Sequence, residues 1–362
     1  MPDAAATTRP PRWSVDVRDL TGRRALVTGA SDGVGVEIAR GLARAGAEVV
    51  MPVRSKAKGV RARDLIREDA GAGSVTLRSL DLSSLASTRA LGRQLIAEGA
   101  AVDIVVLNAG IVLLNDPVRH LSVDGIELHL QTNMLSHALL IADILPLLRA
   151  RGARVVLQCS LAARYGAIAW DDPNLDRRYR PLRAYAASKV ALGLFGVELG
   201  RRSEDLGWGV ESVLCHPGTA MTHIAPASMR ERRTAVSRIV GGLYDRGVGL
   251  QSPAEAALPA LYAATSPGVR SGDFVAPSGL LELAGPPALR PLYRRLTGRA
   301  DASRAWDLVG ELTGARFPGG PPAPAHGDRE GDYSSPGDVA WASSSSTMRR
   351  AGVAAAPGER GA

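Results

Sequence analysis

Cysteine is almost missing from this sequence. Cys159 and Cys215 are the only two, and they lie far apart. There is no C-x-x-C pair to hold a metal, and two thiols make no disulfide framework, so a reduced, cytoplasmic setting is expected. Each thiol follows an apolar, strand-like run and reads as a small buried core residue. Lysine is nearly as rare. The cations are almost all arginine, with Lys56, Lys58 and Lys189 the exceptions. The formal net charge of +8 is spread along the chain, without the dense basic run expected of a nucleic-acid face. Long apolar runs are also absent. Residues 138–148 form the longest, but Asp143 and Pro146 interrupt it and it is too short to span a bilayer. Residues 1–12 are polar, carry prolines and lack the apolar centre of a signal peptide.

What the chain does have is an apolar majority pattern of short runs separated by helical periodicity. With 362 residues, 45% of them apolar, it can bury a sizeable core. The first run, Ala25, Leu26 and Val27, has the form of a buried parallel strand. Gly29, Gly33 and Gly35 break it. Val34, Ile38, Ala39 and Leu42 then recur at helical spacing. A strand, a glycine turn and a helix in that order make a site for a dinucleotide. The turn lets backbone approach a diphosphate, and the helix N-terminus supplies N–H groups and partial positive charge. The alternative is a glycine turn with no ligand.

Further strands are expected at 49–53, 74–79, 104–107, 154–159, 210–215 and 274–276, separated by helices. Pro52 should lie near the end of its strand, because it donates no ladder hydrogen bond. Ser83 reads as the N-cap of the helix after the third strand. A long helix should run from Val123 to about Arg149, with Pro146 ending or kinking it. Strands alternating with helices imply an α/β fold: a Rossmann-type, doubly wound, mostly parallel sheet of seven strands in a single domain. The domain is expected over residues 14–316. Residues 1–13 read as a disordered extension. Residues 317–362, rich in Pro, Gly, Ser and Ala, read as a disordered tail.

The chemistry is concentrated in Tyr185-Ala-Ala-Ser-Lys189. On a helix the i, i+4 spacing places phenol and ammonium on one face. The ammonium should lower the tyrosine pKa and make Tyr185 an acid/base for a carbonyl oxygen or alcohol. Ser160, just past the fifth strand, sits at the sheet edge where such folds bind ligands. Taken singly, the pair could be a surface contact and the serine a strand cap.

Together with the other motifs, the chain resembles the short-chain dehydrogenase/reductase family over roughly 20–314. The glycine pattern is Thr28-Gly29-Ala30-Ser31-Asp32-Gly33-Val34-Gly35, and the N-A-G element is Asn108-Ala109-Gly110. Ser160, Tyr185 and Lys189 match the family's reacting set, and Asn133 its further asparagine. Pro217-Gly218 with Thr222 matches the element after strand six, and Asp81-Leu82 the adenine contact. The resemblance is strongest to the retinol-dehydrogenase-like branch, through Val123-Asp-Gly-Ile-Glu, the long link from Ser160 to Tyr185, and the stretch starting at Trp306. Leu107 and Cys159 depart from the usual N-N-A-G and paired-serine forms.

The resemblance implies hydride transfer between a nicotinamide cofactor and a carbonyl or alcohol, with no metal. Tyr185 would move the proton, Ser160 orient the substrate oxygen, and Lys189 tune the tyrosine and hold the ribose. Asn133, its carbonyl freed by a helix irregularity, would anchor a water that passes protons to Lys189. Thr28, Gly29, Ser31, Gly33, Val34, Gly35, Arg54, Asp81, Leu82, Asn108, Ala109, Gly110, Pro217, Gly218 and Thr222 would hold the cofactor together with Tyr185 and Lys189. NADP(H) is expected over NAD(H). Strand two ends in Val53, which cannot accept from a ribose 2′-hydroxyl, and Arg54 can fork onto a 2′-phosphate. The substrate is expected to be bulky and apolar, with Ile168, Trp170, Ile224 and Met229 near the cleft. Two other readings stand beside this one: the same chemistry with NAD(H), and a dinucleotide sensor or scaffold without turnover. A homo-oligomer is compatible with either.

Overall fold

The computed structural model describes residues 11–69, 71, 73–219 and 251–319. The chain winds a parallel sheet from β1 (Arg24–Val27), β2 (Glu48–Val53), β3 (Ser74–Ser79), β4 (Ile104–Leu107), β5 (Arg154–Gln158), β6 (Glu211–Cys215) and β7 (Phe274–Pro277). Their spatial order is β3-β2-β1-β4-β5-β6-β7. An eighth strand, β8 (Pro287–Arg290), adds antiparallel to β7. The seven-strand expectation is corrected on this point. β8 has four residues, starts at a proline and is nowhere fully buried. It exists because a hairpin returns it to the sheet edge.

Among the described residues the α-helices are α1 (Gly33–Arg44), α2 (Lys56–Arg67), α3 (Leu85–Glu98), α4 (Leu128–Leu130), α5 (Ser136–Arg149), α6 (Pro181–Asp205), α7 (Pro253–Thr265) and α8 (Arg299–Thr313). Strand side chains alternate between two cores, as the pleat requires. Leu26 and Val105 face the layer of α3, α5, α6 and α8, whereas Ala25, Val27 and Val106 face that of α1, α2 and α7. Strands buried on both faces have no polar side, so they read as continuous apolar runs.

Pro52 is the penultimate residue of β2 and sits opposite Arg78 of β3. The long helix begins at Leu128 rather than Val123, because residues 121–127 form a turn closed by a Leu121–Glu127 bridge. Pro146 falls inside the last turn of α5, and the helix runs on to Arg149. The cap of α3 is Ser84, whose side chain accepts from Ser87 N; Ser83 instead donates to Asp81.

Arg12, Trp13 and Phe317, which fall in the stretches expected to be disordered, make contacts with the domain. Arg12 bonds Glu255 and lies over Trp13. Phe317 packs on Trp306, with ring centroids 4.1 Å apart, and stacks on Trp208. Residues 1–10 and 320–362 lie outside the described residues, as do Thr222, Ile224 and Met229. Among the described residues, no helix is long and apolar enough to cross a membrane.

Candidate active site

The carboxyl ends of β1, β4 and β5 meet at one edge, and polar side chains knit them together. Asn108 Nδ2 donates to Thr28 O at 2.8 Å, and Gln158 Nε2 donates to Asn108 Oδ1 at 2.7 Å. Lys189 Nζ donates to Gln158 O at 2.9 Å. Thr28 Oγ1 accepts from Ala109 N at 3.0 Å. The expected glycine turn, N-A-G element and lysine are therefore one bonded unit.

The glycines serve this unit more directly than a ligand. Gly29 has φ +69°, and a Cβ there would lie 2.8 Å from Ala109 Cα. A Cβ on Gly35 would lie 2.3 Å from Gly29 O. Both positions are close approaches of the chain to itself, which only glycine allows. Gly33 opens α1 at φ +55°, with Ser31 and Asp32 leading into it. The first turn of α1 holds no acidic residue, and the Asp32 side chain makes no cap bond to it. Its N–H groups and helix dipole remain suited to a phosphate. Val34 is buried behind them.

Farther along the edge, Val53 is buried and Arg54 exposed. Asp81 Oδ1 accepts from Ser83 N and Oγ at 2.9 and 2.6 Å, so the carboxylate shapes its own turn. Leu82 is buried, and its carbonyl accepts from Ser136 Oγ at 2.7 Å. Gly218 follows Pro217 at φ +74°, and a Cβ there would meet Gln251 Nε2 at 2.3 Å. Gln251 Nε2 donates to Pro217 O at 2.8 Å, fixing that element.

The helix carrying Asn133 is irregular at this residue. Gln131–Leu135 form a π-turn, with Ser136 N donating to Gln131 O. A π-turn displaces the pairing by one residue and marks functional sites. Asn133 Oδ1 accepts from Ile111 N at 2.8 Å, and Nδ2 donates to Ser188 Oγ at 2.9 Å. Ser188 Oγ in turn donates to Tyr185 O at 2.7 Å. A Cβ on Gly110 would lie 3.2 Å from Asn133 Oδ1 and 3.4 Å from Lys189 Nζ, so Gly110 leaves room where those two groups converge.

Tyr185 is part-buried and edge-on to His129 at 6.2 Å, with the Ser160 side chain near its phenol. Ser160 Oγ accepts from Ala162 N at 3.2 Å, so the serine is both a cap and a neighbour of the phenol. Burial pushes the Tyr185 pKa up, and the Ser160 hydroxyl opposes this. The expected lowering by Lys189 is corrected. Its ammonium is turned to the Gln158 carbonyl, with the Cys159 and Cys215 thiols nearby, and burial lowers its own pKa. Both thiols are free and buried. Burial pushes Cys159 up to about 12 and Cys215 up as well, so neither is a nucleophile.

Three elements, the end of β5, α6 and the π-turn, thus carry Ser160, Tyr185, Lys189 and Asn133. The family profile described as short chain dehydrogenase matches residues 23–233.

This chain belongs to the short-chain dehydrogenases.

The dehydrogenase is similar to polyprenol dehydrogenase of Mus musculus, at 36% identity over 76% of this chain and 82% of that one. It is also similar to human retinol dehydrogenase 12, at 32% identity over 82% and 88%. Relatives named retinol dehydrogenases 13 and 14 place it in the retinol-dehydrogenase-like branch. A crystal structure of an uncharacterised Mycobacterium paratuberculosis protein is 32% identical, covers 84% of this chain and 97% of its own, and has a TM-score of 0.67. Pseudomonas aeruginosa RhlG, solved with NADP in its active site, is 26% identical over 69% and 92%, with a TM-score of 0.54. This dehydrogenase is accordingly an NAD(P)-dependent oxidoreductase of alcohol and carbonyl groups.

Sequence reasoning missed Gln158, Ser188 and His137. Each left a signal. Gln158 is a polar end to an apolar strand. Ser188 lies three residues after Tyr185. His137 lies four residues after Asn133 in a mostly apolar helix.

Proposed function

We propose that the protein is an NADP(H)-dependent reductase of bulky, apolar carbonyl compounds, using Tyr185 as the proton donor. The observation that carries this is the Ser160 hydroxyl set near the Tyr185 phenol, beside the hydrogen-bonded Lys189–Gln158–Asn108–Thr28 chain. A sensor without turnover needs the glycine turn but not the phenol, serine, lysine and asparagine together.

The residues fit a dinucleotide. The N-terminus of α1 offers uncapped N–H groups for the diphosphate, and exposed Arg54 beside acceptorless Val53 favours a 2′-phosphate. When bound, the dihydronicotinamide supplies the hydride. The protein's residues do the rest. Ser160 Oγ and Tyr185 Oη both hydrogen-bond the substrate carbonyl oxygen, fixing its direction. Burial keeps the phenol protonated at neutral pH, so it can give its proton to that oxygen as the alcohol forms. Lys189, one helical turn on from Tyr185 in α6, is the residue assigned to hold the nicotinamide ribose. Asn133 holds Ile111 and Ser188 in place and presents its π-turn carbonyl as an anchor for a water leading to Lys189.

The relatives' names, polyprenol and retinol dehydrogenase, support a long apolar substrate. Trp170 gives less support than its position in the sequence promised. It packs against the core under Arg304, which lies 4.4 Å over its ring, and Ile168 packs beside it. The test is a panel of retinal, polyprenal, short ketones and sugars, with NADPH or NADH oxidation as the readout. Turnover of the apolar members with NADPH is expected. Turnover confined to sugars would overturn the substrate class, and faster turnover with NADH would overturn the cofactor.

A further inference from the structure

Under the candidate site lies a histidine that the mechanism above does not use. His137 is fully buried in the first turn of α5. Its Nδ1 lies 3.3 Å from Asn133 O, and its Nε2 lies 3.0 Å from Thr28 Oγ1. A backbone carbonyl only accepts, so Nδ1 carries the proton and donates to it. Burial pushes the His137 pKa down to about 3, and the nearby Lys189 charge acts in the same direction. The ring therefore carries one proton, and Nε2 is left as an acceptor. Thr28 Oγ1 donates to Nε2 and accepts from Ala109 N. The bonds run in one direction, from Ala109 N–H through Thr28 and His137 to the Asn133 carbonyl.

We propose that His137 is a positioning residue, a ring protonated on Nδ1 that holds the Asn133 carbonyl in register with the Thr28 turn. The inference rests on the proposed reading of Asn133 as part of the reacting set. That carbonyl lies within the π-turn, where helix pairing is displaced, and the His137 ring is a side-chain donor set against it. The ring meets it from below while leaving the carbonyl's second lone pair for the site. It also ties α5 to the cofactor turn, so the two halves of the site move as one. The two ends differ in weight. If Nε2 is lost, the Thr28 hydroxyl can turn to Val106 O, 3.4 Å away. If the Nδ1 donor is lost, the Asn133 carbonyl loses its side-chain partner.

Two arms test this. In the first, 15N NMR of the imidazoles in the wild-type protein at pH 7, assigned by difference from His137→Asn, should show His137 as the Nδ1–H tautomer. An Nε2–H tautomer or a doubly protonated ring would overturn the proposal, whatever the enzyme turns over. In the second, His137→Asn keeps a donor near the Nδ1 position, whereas His137→Gln keeps only the far end. With NADPH and the carbonyl that wild type reduces fastest in the panel, His137→Gln should lower kcat by about tenfold, the scale of one lost hydrogen bond. His137→Asn should stay within about threefold of wild type on the same reasoning. NADPH affinity, read by fluorescence titration without substrate, should be alike in both. Equal kcat for the two variants would overturn the role. An inactive wild type would instead sink the proposed function and leave the NMR arm to judge the ring.

Discussion

The cofactor half of the sheet edge and the substrate half are built by different means. Around β1 and β4 the chain touches itself through backbone. Gly29 lies against Ala109, Gly35 against Gly29 O, and Asn108 reaches Thr28 O. Past β5 the chain is held by long-range side-chain pairs. Arg119 donates to Asn174 O at 2.9 Å and pairs with Asp176, and Glu127 N donates to Asn174 Oδ1 at 2.7 Å. Tyr293 Oη donates to Glu282 at 2.5 Å, in a hairpin where Leu281 and Glu282 both have positive φ. Backbone contacts constrain residue type tightly, whereas side-chain pairs can be drawn from many sequences. The first half should therefore be intolerant of change, and the second half free to vary with its substrate.

The largest break in that contrast should come at Gly35. The Cβ of Gly35→Ala would meet backbone at 2.3 Å, and neither Gly29 nor α1 can yield. A loss of about 1–3 kcal/mol or more is expected, as for overpacked cores. On the other side, Leu280→Ala, at a position 85% exposed, should leave the melting temperature nearly unchanged. Thermal melts of the two variants check this. Equal melting temperatures would erase the distinction.

Acid should discriminate next. His137 and His216 are both buried, with pKa values pushed down to about 3 and about 4. The unfolded chain takes up protons on these rings below about pH 6.5 while the folded protein does not. Stability is thus fully present above that pH and falls as pH drops toward 4. Carboxylates with lowered pKa, such as Glu98 and Glu255, add their loss only further down. Urea midpoints should decline between pH 6.5 and 5, and less steeply in His137→Asn. A flat profile over that window would show that the rings are not held neutral.

A change at Arg54 sharpens the cofactor half alone. Arg54→Ala should weaken NADPH by roughly ten- to a hundredfold, the worth of about 1.5–3 kcal/mol for bonds to a charged group, and leave NADH unchanged. Equal losses for the two cofactors in fluorescence titrations would remove the 2′-phosphate contact.

The same contrast explains what could be read from sequence. The central parallel strands were legible because strands buried on both faces are apolar throughout, as in Ala25–Val27 and Ile104–Leu107. The glycine turn and the Tyr185–Lys189 pair were legible because spacing alone puts them together. β8 was not, since its antiparallel pairing depends on the hairpin and not on its own residues. Phe317 read as tail because its partners, Trp208 and Trp306, lie on other elements. Lys189 was expected to lower the Tyr185 pKa, whereas burial raises it. Sequence spacing gives proximity, whereas the pKa follows the depth of burial and the direction of Nζ, which is toward Gln158.

The central claim is that the Tyr185 phenol moves the proton. Tyr185→Phe removes one oxygen and keeps the ring that packs edge-on against His129. Single-turnover mixing of NADPH-loaded protein with the best carbonyl of the panel, beside an NADPH titration, separates chemistry from binding. The expected result is a rate roughly a hundred- to ten-thousandfold lower, the usual worth of a general acid, with NADPH affinity unchanged. A Tyr185→Phe protein that oxidises NADPH at close to the wild-type rate would contradict the account.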